Sequence, residues 1–250
     1  MIAKNPIPRR VAITRNYKLD GAWGQEMLDS FTDLIHAADK DALVQHFQPI
    51  DGGELPDASN FDLVILTGGT YDLTQPDFEA WVAHLLDWVR DVVSSHPKTK
   101  LLGICWGHQA ISYALGGKIA YRGGGTLVDV VEIPLTETGR KFFTDFSSLS
   151  DMKAQRLHKF HKRIVVEPPR GFRYLAEDHE ISMSDSDQVM TFQGHPEMTA
   201  KIAQGIIGGQ DTSYLADPTP EGIAQLNRNL EKDEDGKEAF SRVMSWAFEN

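Results

Sequence analysis

The sequence predicts an α/β fold: an open, mostly parallel sheet flanked by helices and extended by additional antiparallel strands. Three observations predict it. The runs "FDLVILTGG" (61–69) and "TKLLGI" (99–104) are aliphatic without polar alternation, as in strands buried on both faces. Segments of helical period stand between the early strands, giving the order strand, helix, strand, strand, helix, strand, helix. From 118 to 193 short strand-like runs follow one another, separated by turn residues.

Taken in order, "RRVAITRN" (9–16) reads as the first strand. Trp23, Met27, Phe31, Leu34, Ile35 and Ala38 then recur at helical spacing over 23–38. "ALVQHF" (42–47) is a second strand and "FDLVILTGG" a third, ended by Gly-Gly. Residues 77–95 form an amphipathic helix with Phe78, Trp81, Val82, Leu85, Trp88, Val89 and Val92 on one stripe. "TKLLGI" is a buried strand, with a helix expected after it. The later runs "LVDVVEI", "MKAQRLH", "RIVVE", "FRYLA", "ISMS" and "QVMTFQ" suggest antiparallel strands returning to the main sheet. Three helical patterns close the chain: "MTAKIAQGII" from 198, then 219–231 and 237–248. A single domain over 1–250 is expected.

Composition narrows the function. The formal net charge of −11 opposes nucleic-acid binding, which needs a concentrated positive field. The basic stretch "KFHKR" (159–163) is short and reads as a solvated strand end or loop, and "EKDEDGKE" (231–238) as a solvated turn between helices. No apolar run reaches the length of a membrane span, and the N-terminal segment has no apolar secretory core. One cysteine forms no internal disulfide, so a reducing compartment is expected: the cytoplasm, with the nucleus also open.

That cysteine, Cys105, lies in "LLGICWGHQA" (101–110), where a buried strand runs through Gly103 and Gly107 into a helical pattern. This is the form of a nucleophile elbow. A sharp strand-to-helix turn lifts the side chain above the sheet, and small residues two before and two after allow close packing. A helix N-terminus also favours a thiolate. A nucleophile needs a base, and His195 in "VMTFQGHPEM" (189–198) is the candidate. Glu197 lies two residues on, so in an extended segment it faces the same way and is placed to orient the imidazole. Gly68 and Gly69, in "LTGGT" (66–70), end a buried strand with backbone N–H groups open to a substrate; with the N–H of Trp106 they suit an oxyanion hole.

With "TGG" upstream, "GICWGHQ" and then "GHPE", in the order Cys, His, Glu, the chain resembles the class I glutamine amidotransferase family, whose scaffold is flavodoxin-like. The resemblance spans about 61–197. It implies Cys105 as nucleophile, His195 as base, Glu197 as its orienting partner, Gly69 and Trp106 as oxyanion donors, and Gly68 and Gln109 as substrate contacts. Many members of the family carry a His-x-Asp segment whose acid holds the amino end of glutamine. The corresponding stretch here is "HKFHKR", with Lys159, Lys162 and Arg163 and no acid, and the preceding "YRGGGTLVD" (121–129) lacks the usual aromatic-glycine form.

The function so implied is an amidohydrolase that cleaves the γ-amide of glutamine or a related small molecule through a γ-glutamyl thioester. Two alternatives stand beside it: a γ-glutamyl peptidase acting on glutathione-type peptides, and a non-catalytic partner-binding protein. No synthetase domain accompanies the motifs, which leaves an ammonia-accepting partner enzyme as a candidate associate. No cofactor is expected: there is no nucleotide-binding fingerprint, and the two histidines of "HKFH" would face opposite sides of a strand, so no metal site either. Cations near the α-ammonium group would repel it, so weak activity on free glutamine is expected.

Overall fold

The computed structural model describes residues 7–144, 153–209 and 214–249. The first half follows the predicted order: β1 (Arg10–Thr14), α1 (Gly21–Ala38), β2 (Leu43–Phe47), β3 (Leu63–Leu66), α2 (Ala80–Ser95), β4 (Lys100–Ile104) and α3 (Trp106–Ala114). There follow β5 (Lys118–Tyr121), β6 (Leu127–Pro134), α4 (Glu137–Thr144), β7 (Ala154–His161), β8 (Arg163–Glu167), β9 (Phe172–Tyr174), β10 (Ile181–Ser184) and β11 (Val189–Phe192). Helices α5 (Ala200–Ile207), α6 (Pro220–Leu230) and α7 (Gly236–Phe248) complete the described chain.

The main sheet has the order β2-β1-β3-β4-β11-β10-β9. Its first five strands are parallel, and β10 and β9 add antiparallel pairings at one edge. The central strands are buried on both faces, and strand alternation sorts their side chains into two cores. Val11, Ile13, Leu63, Ile65, Leu102, Ile104, Met190 and Phe192 pack toward Phe31 of α1 and Phe240 of α7. Ala12, Val64, Leu66, Leu101 and Val189 pack on the other side with Val82, Leu85 and Val89 of α2 and Trp106 of α3. Continuous aliphatic runs are therefore required, since a polar side chain on either face would be desolvated.

The second half departs from the expectation. Only β9 and β10 are antiparallel additions to the main sheet, and β11 is a parallel strand inserted beside β4. The pairs β5–β8 and β6–β7 form two separate antiparallel ribbons. Helix α4 occupies a stretch with no long apolar stripe; of its residues only Gly139 and Phe143 are buried. The "MKAQRLH" run starts at Met152, which lies outside the described residues, as do residues 1–6 of the N-terminal segment. The stretch "KFHKR" is not solvated: Lys159, Phe160, His161 and Arg163 are buried. The cause is that β7 passes behind Cys105, where the carbonyl of His158 accepts the backbone N–H of His195 at 2.9 Å.

At the end of β4 the sheet and α3 come too close for side chains. A Cβ on Gly107 would lie 2.2 Å from the Leu66 carbonyl oxygen, and one on Gly103 would lie 2.7 Å from the Gly107 backbone. Overpacking of a rigid core typically costs about 1–3 kcal/mol, and here the obstructing atoms are backbone. Gly107→Ala is thus expected to lower the urea midpoint markedly, by the equivalent of about 3 kcal/mol. Gly123→Ala, where a Cβ meets nothing within 4 Å, should leave it unchanged. Equal midpoints for the two variants would refute this account of the elbow.

Candidate active site

Cys105 stands between β4 and α3 with φ 51° and ψ −100°. A non-glycine residue in a sparsely populated region costs about 1–3 kcal/mol and persists only where its surroundings enforce it. The enforcement is visible. The Cys105 N–H donates to Phe192 O at 2.7 Å, the Gln109 N–H donates to Cys105 O at 3.1 Å, and Trp106 Nε1 donates to Tyr71 O at 2.9 Å. The turn also divides neighbouring side chains between the two cores: Cys105 packs on the α1 side of the sheet and Trp106 on the α2 side.

His195 follows β11, the parallel neighbour of β4, and so reaches the same end of the sheet. Its Nδ1 lies 2.8 Å from Glu197 Oε1, and both groups are buried. The pair is set by an isolated bridge at His195 followed by a turn, rather than by a continued strand. Glu197 is anchored from outside as well: its backbone carbonyl accepts the Ser30 hydroxyl of α1 at 2.6 Å. The turn does not make Glu197 the cap of α5, whose N-cap is Thr199.

His195 Nε2 has no partner at hydrogen-bonding geometry, yet the Cys105 sulfur is close enough to affect its titration. Burial disfavours the charged imidazole, but Glu197 and Cys105 outweigh it and raise the His195 pKa to about 10. Such contacts tighten when a substrate is present. A Cβ on Gly68 would stand 3.1 Å from His195 Cε1 and 3.8 Å from Cys105 Cβ, so this glycine leaves room between His195 and Cys105. On Gly69 a Cβ would meet Asn16 O at 2.6 Å and the Trp106 ring at 3.3 Å. Gly69 is thereby held against the start of α3, where the Trp106 N–H has no helical acceptor.

Cys105, His195, Glu197, Gly68 and Gly69 line one pocket, together with Thr70, Tyr17, Trp23, Met27, Phe160, Met198, Ile206 and Tyr214. Its wall beyond Cys105 is therefore largely apolar and aromatic. Gln109 does not line it: this side chain is buried and donates to Arg163 O at 2.9 Å and to Gln193 Oε1 at 3.1 Å. The cations of "HKFHKR" are also differently placed from the expectation. Lys159 is buried in an ion pair with Glu180. Arg163 pairs with Asp72 at 3.4 Å and donates to Thr70 O at 2.7 Å. Lys162 stands 4.1 Å over the Tyr214 ring. Acidic partners absent from the local sequence thus arrive from β3–α2 and β9–β10 connections.

Gln193 is a site residue the sequence reading did not single out, with Nε2 3.8 Å from Cys105 Sγ. A signal existed: Gln193, His195 and Glu197 stand at spacing two directly after an apolar strand. Tyr17 is another. It lines the same pocket as Glu197, and burial and then the Glu197 charge push its phenol well above the usual range. Nothing separates it in sequence from a core aromatic. Among the described residues no group of three or more metal-ligating side chains comes together, and no helix is long and apolar enough to cross a membrane.

The other buried histidines titrate in the opposite direction. Burial lowers His108 to about 3, His158 to about 4 and His161 to about 2, helped by the Lys159 charge at His108 and His161 and by His195 at His158. Of these four buried histidines His195 alone is within ion-pair distance of a carboxylate, and the Asp129 charge only partly offsets the lowering at His158.

Comparisons with known proteins bear on the family and the fold. Residues 29–207 match the family model described as glutamine amidotransferase class-I. The chain is 35% identical to the glutamine amidotransferase-like protein chry6 of Gibberella zeae, covering 95% of each. It is 29% identical to gamma-glutamyl peptidase 2 of Arabidopsis thaliana over 75% of this chain and 76% of that one. A crystal structure of a glutamine amidotransferase from Thermotoga maritima has the same fold, with a TM-score of 0.73 and 16% identity over 96% of this chain and 99% of that one.

The histidine pattern predicts a pH dependence of stability. Below about pH 6.5 an unfolded chain protonates histidines that the folded chain keeps neutral, so unfolding takes up protons and stability falls on acidification. His195 acts oppositely: its contribution is complete below its unfolded value and is lost as pH rises toward about 10. Between pH 6.5 and 4.5 the unfolding free energy should fall by up to about 1.4 kcal/mol per pH unit for each neutral histidine. Urea titrations across that window measure the slope, and His158→Gln should reduce it. A flat profile would contradict the neutral assignment.

Proposed function

The chain belongs to the class I glutamine amidotransferase family, and on that premise we propose that it is a cysteine-dependent amidohydrolase. It cleaves the γ-amide of glutamine or a glutamine-like small molecule through a γ-glutamyl thioester. The observation that carries this reading is the enforced elbow at Cys105 in one pocket with the buried His195–Glu197 pair.

In this mechanism the Cys105 sulfur attacks the amide carbonyl, and the carbonyl oxygen becomes an oxyanion received by the N–H groups of Gly69 and Trp106. His195, held protonated by Glu197, gives its proton to the leaving nitrogen, so the C–N bond breaks and ammonia or an amine departs. The now neutral imidazole takes a proton from water. The hydroxide adds to the thioester, the C–S bond breaks, and the carboxylic acid leaves with the sulfur and imidazole restored. Glu197 keeps Nδ1 as the donor it accepts from, so Nε2 faces the reaction.

The repulsion expected from the basic stretch is reduced, because Lys159 and Arg163 are paired with Glu180 and Asp72. The apolar wall supports a second reading. Trp23, Met27, Phe160 and Ile206 line the pocket that holds Cys105, and such an apolar lining suits a substituted γ-glutamyl amide or peptide. Where ammonia is the product, a partner enzyme would receive it at this mouth. A purely partner-binding role leaves the strained nucleophile without a use.

The test is glutamate release by the pure protein from glutamine, from a γ-glutamyl peptide and from a γ-glutamyl anilide. Cys105→Ala should abolish it. His195→Ala should lower kcat by about 10²–10⁴-fold, the usual value of general acid–base catalysis, and Glu197→Gln by less, since the carboxylate only orients and stabilises the imidazole. Turnover that survives Cys105→Ala would exclude the thioester path.

A further inference from the structure

We propose that Gln193 is a further catalytic residue, whose side-chain N–H supports the Cys105 thiolate, and that Gln109 is a positioning residue that orients the Gln193 amide. The inference rests on Cys105 being the nucleophile, and goes beyond the Cys105–His195–Glu197 set.

The amide orientation follows from the neighbours. Arg163 O is a backbone carbonyl and can only accept, so Gln109 must present its NH₂ group there, at 2.9 Å. The same NH₂ meets the Gln193 amide at 3.1 Å, and a donor must meet the oxygen. Gln193 therefore has one orientation left, with Oε1 toward Gln109 and Nε2 toward Cys105 Sγ at 3.8 Å. Both amides are buried, and these protein partners fix the assignment. The Gln193 backbone is pinned as well, its N–H donating to Glu180 O at 2.8 Å.

The sulfur thus stands between two opposed groups. Phe160 O, at 3.7 Å, can only accept, and so serves the thiol. Gln193 Nε2 can only donate, and so serves the thiolate. A hydrogen bond to a charged group is stronger than one to a neutral group, so the donor gains as the sulfur ionises while the Phe160 contact is lost. The charged groups around the sulfur are His195, from the segment after β11 and backed by Glu197, and Lys159 of β7, paired with Glu180. Neutral replacements at 193 and 109 leave all four in place.

Cys105 is the sole thiol of the chain, so iodoacetamide alkylation followed by intact mass reports on it alone, whatever the substrate. In Gln193→Leu the rise of alkylation rate should move to higher pH, lowering the rate about tenfold along the rising limb with the high-pH plateau unchanged. Gln109→Met, which never touches the sulfur, should shift the profile the same way by a smaller factor and add nothing in the Gln193→Leu background. If Gln193→Leu fails to fold, as judged by its urea transition, Gln193→Met gives the same reading. A parent profile in either folded variant, or an equal loss at every pH including the plateau, would overturn the proposal. Failure of the amidohydrolase reading would show separately, as glutamate release that does not depend on Cys105.

Discussion

The close approach of Gly107 to the Leu66 carbonyl is the constraint on which the rest of the site depends. It lets α3 begin one residue after β4, and so requires Cys105 to make the turn at φ 51°. Strain of about 1–3 kcal/mol is comparable with the net worth of two or three buried hydrogen bonds, each about 1 kcal/mol. The bonds from the Cys105 N–H to Phe192 O and from Trp106 Nε1 to Tyr71 O are of that number and lie at the turn itself. The distortion is therefore held locally, by β11 on one side and the β3–α2 loop on the other. Those same two elements lead into His195 and carry the glycine pair.

Electrostatics then selects one histidine from several. His108, His158, His161 and His195 are all buried within reach of this end of the sheet, and burial alone makes an imidazole neutral. Glu197 reverses that for His195, at the expense of desolvating a carboxylate whose Oε2 has no hydrogen-bond partner. Lys159 and Glu180 do not stabilise the fold in any simple sense, because removing both charges from water offsets most of their attraction. Their effect is to cancel a cation that would otherwise compete with His195 for the sulfur.

Much of this was legible in the sequence, and the limits of legibility have physical reasons. The parallel strands announce themselves because burial on both faces demands unbroken aliphatic runs, and the elbow because only glycine fits at 103 and 107. His195 and Glu197 are readable because two residues of chain carry the whole interaction. The pairing of ribbons β5–β8 and β6–β7 apart from the main sheet is not legible, since short alternating strands do not encode which edge they join. The acids that pair with Lys159 and Arg163 were invisible for the same reason: Glu180 and Asp72 are distant in sequence and meet them only through the fold. Trp23 and Met27 resemble core residues because they are apolar and helix-spaced, and Tyr17 because it is a buried aromatic; that they line a pocket depends on what α1 and the segment before it fail to cover.

The division of labour within the molecule explains why chemistry is easier to read here than substrate. The groups proposed to make and break bonds lie at the carboxyl ends of β3, β4 and β11, adjacent parallel strands whose register is set by the main sheet. Moving any of them would require moving the sheet. The pocket wall comes from elements outside it: the entry to α1, the end of β7, α5 and Tyr214. Those positions are free to change size and polarity without disturbing the elbow. Glycines 103 and 107 with Cys105, His195 and Glu197 therefore fix the geometry on which the proposed acyl transfer rests, while the proposed acyl group and leaving amine would be selected by side chains that the elbow does not constrain.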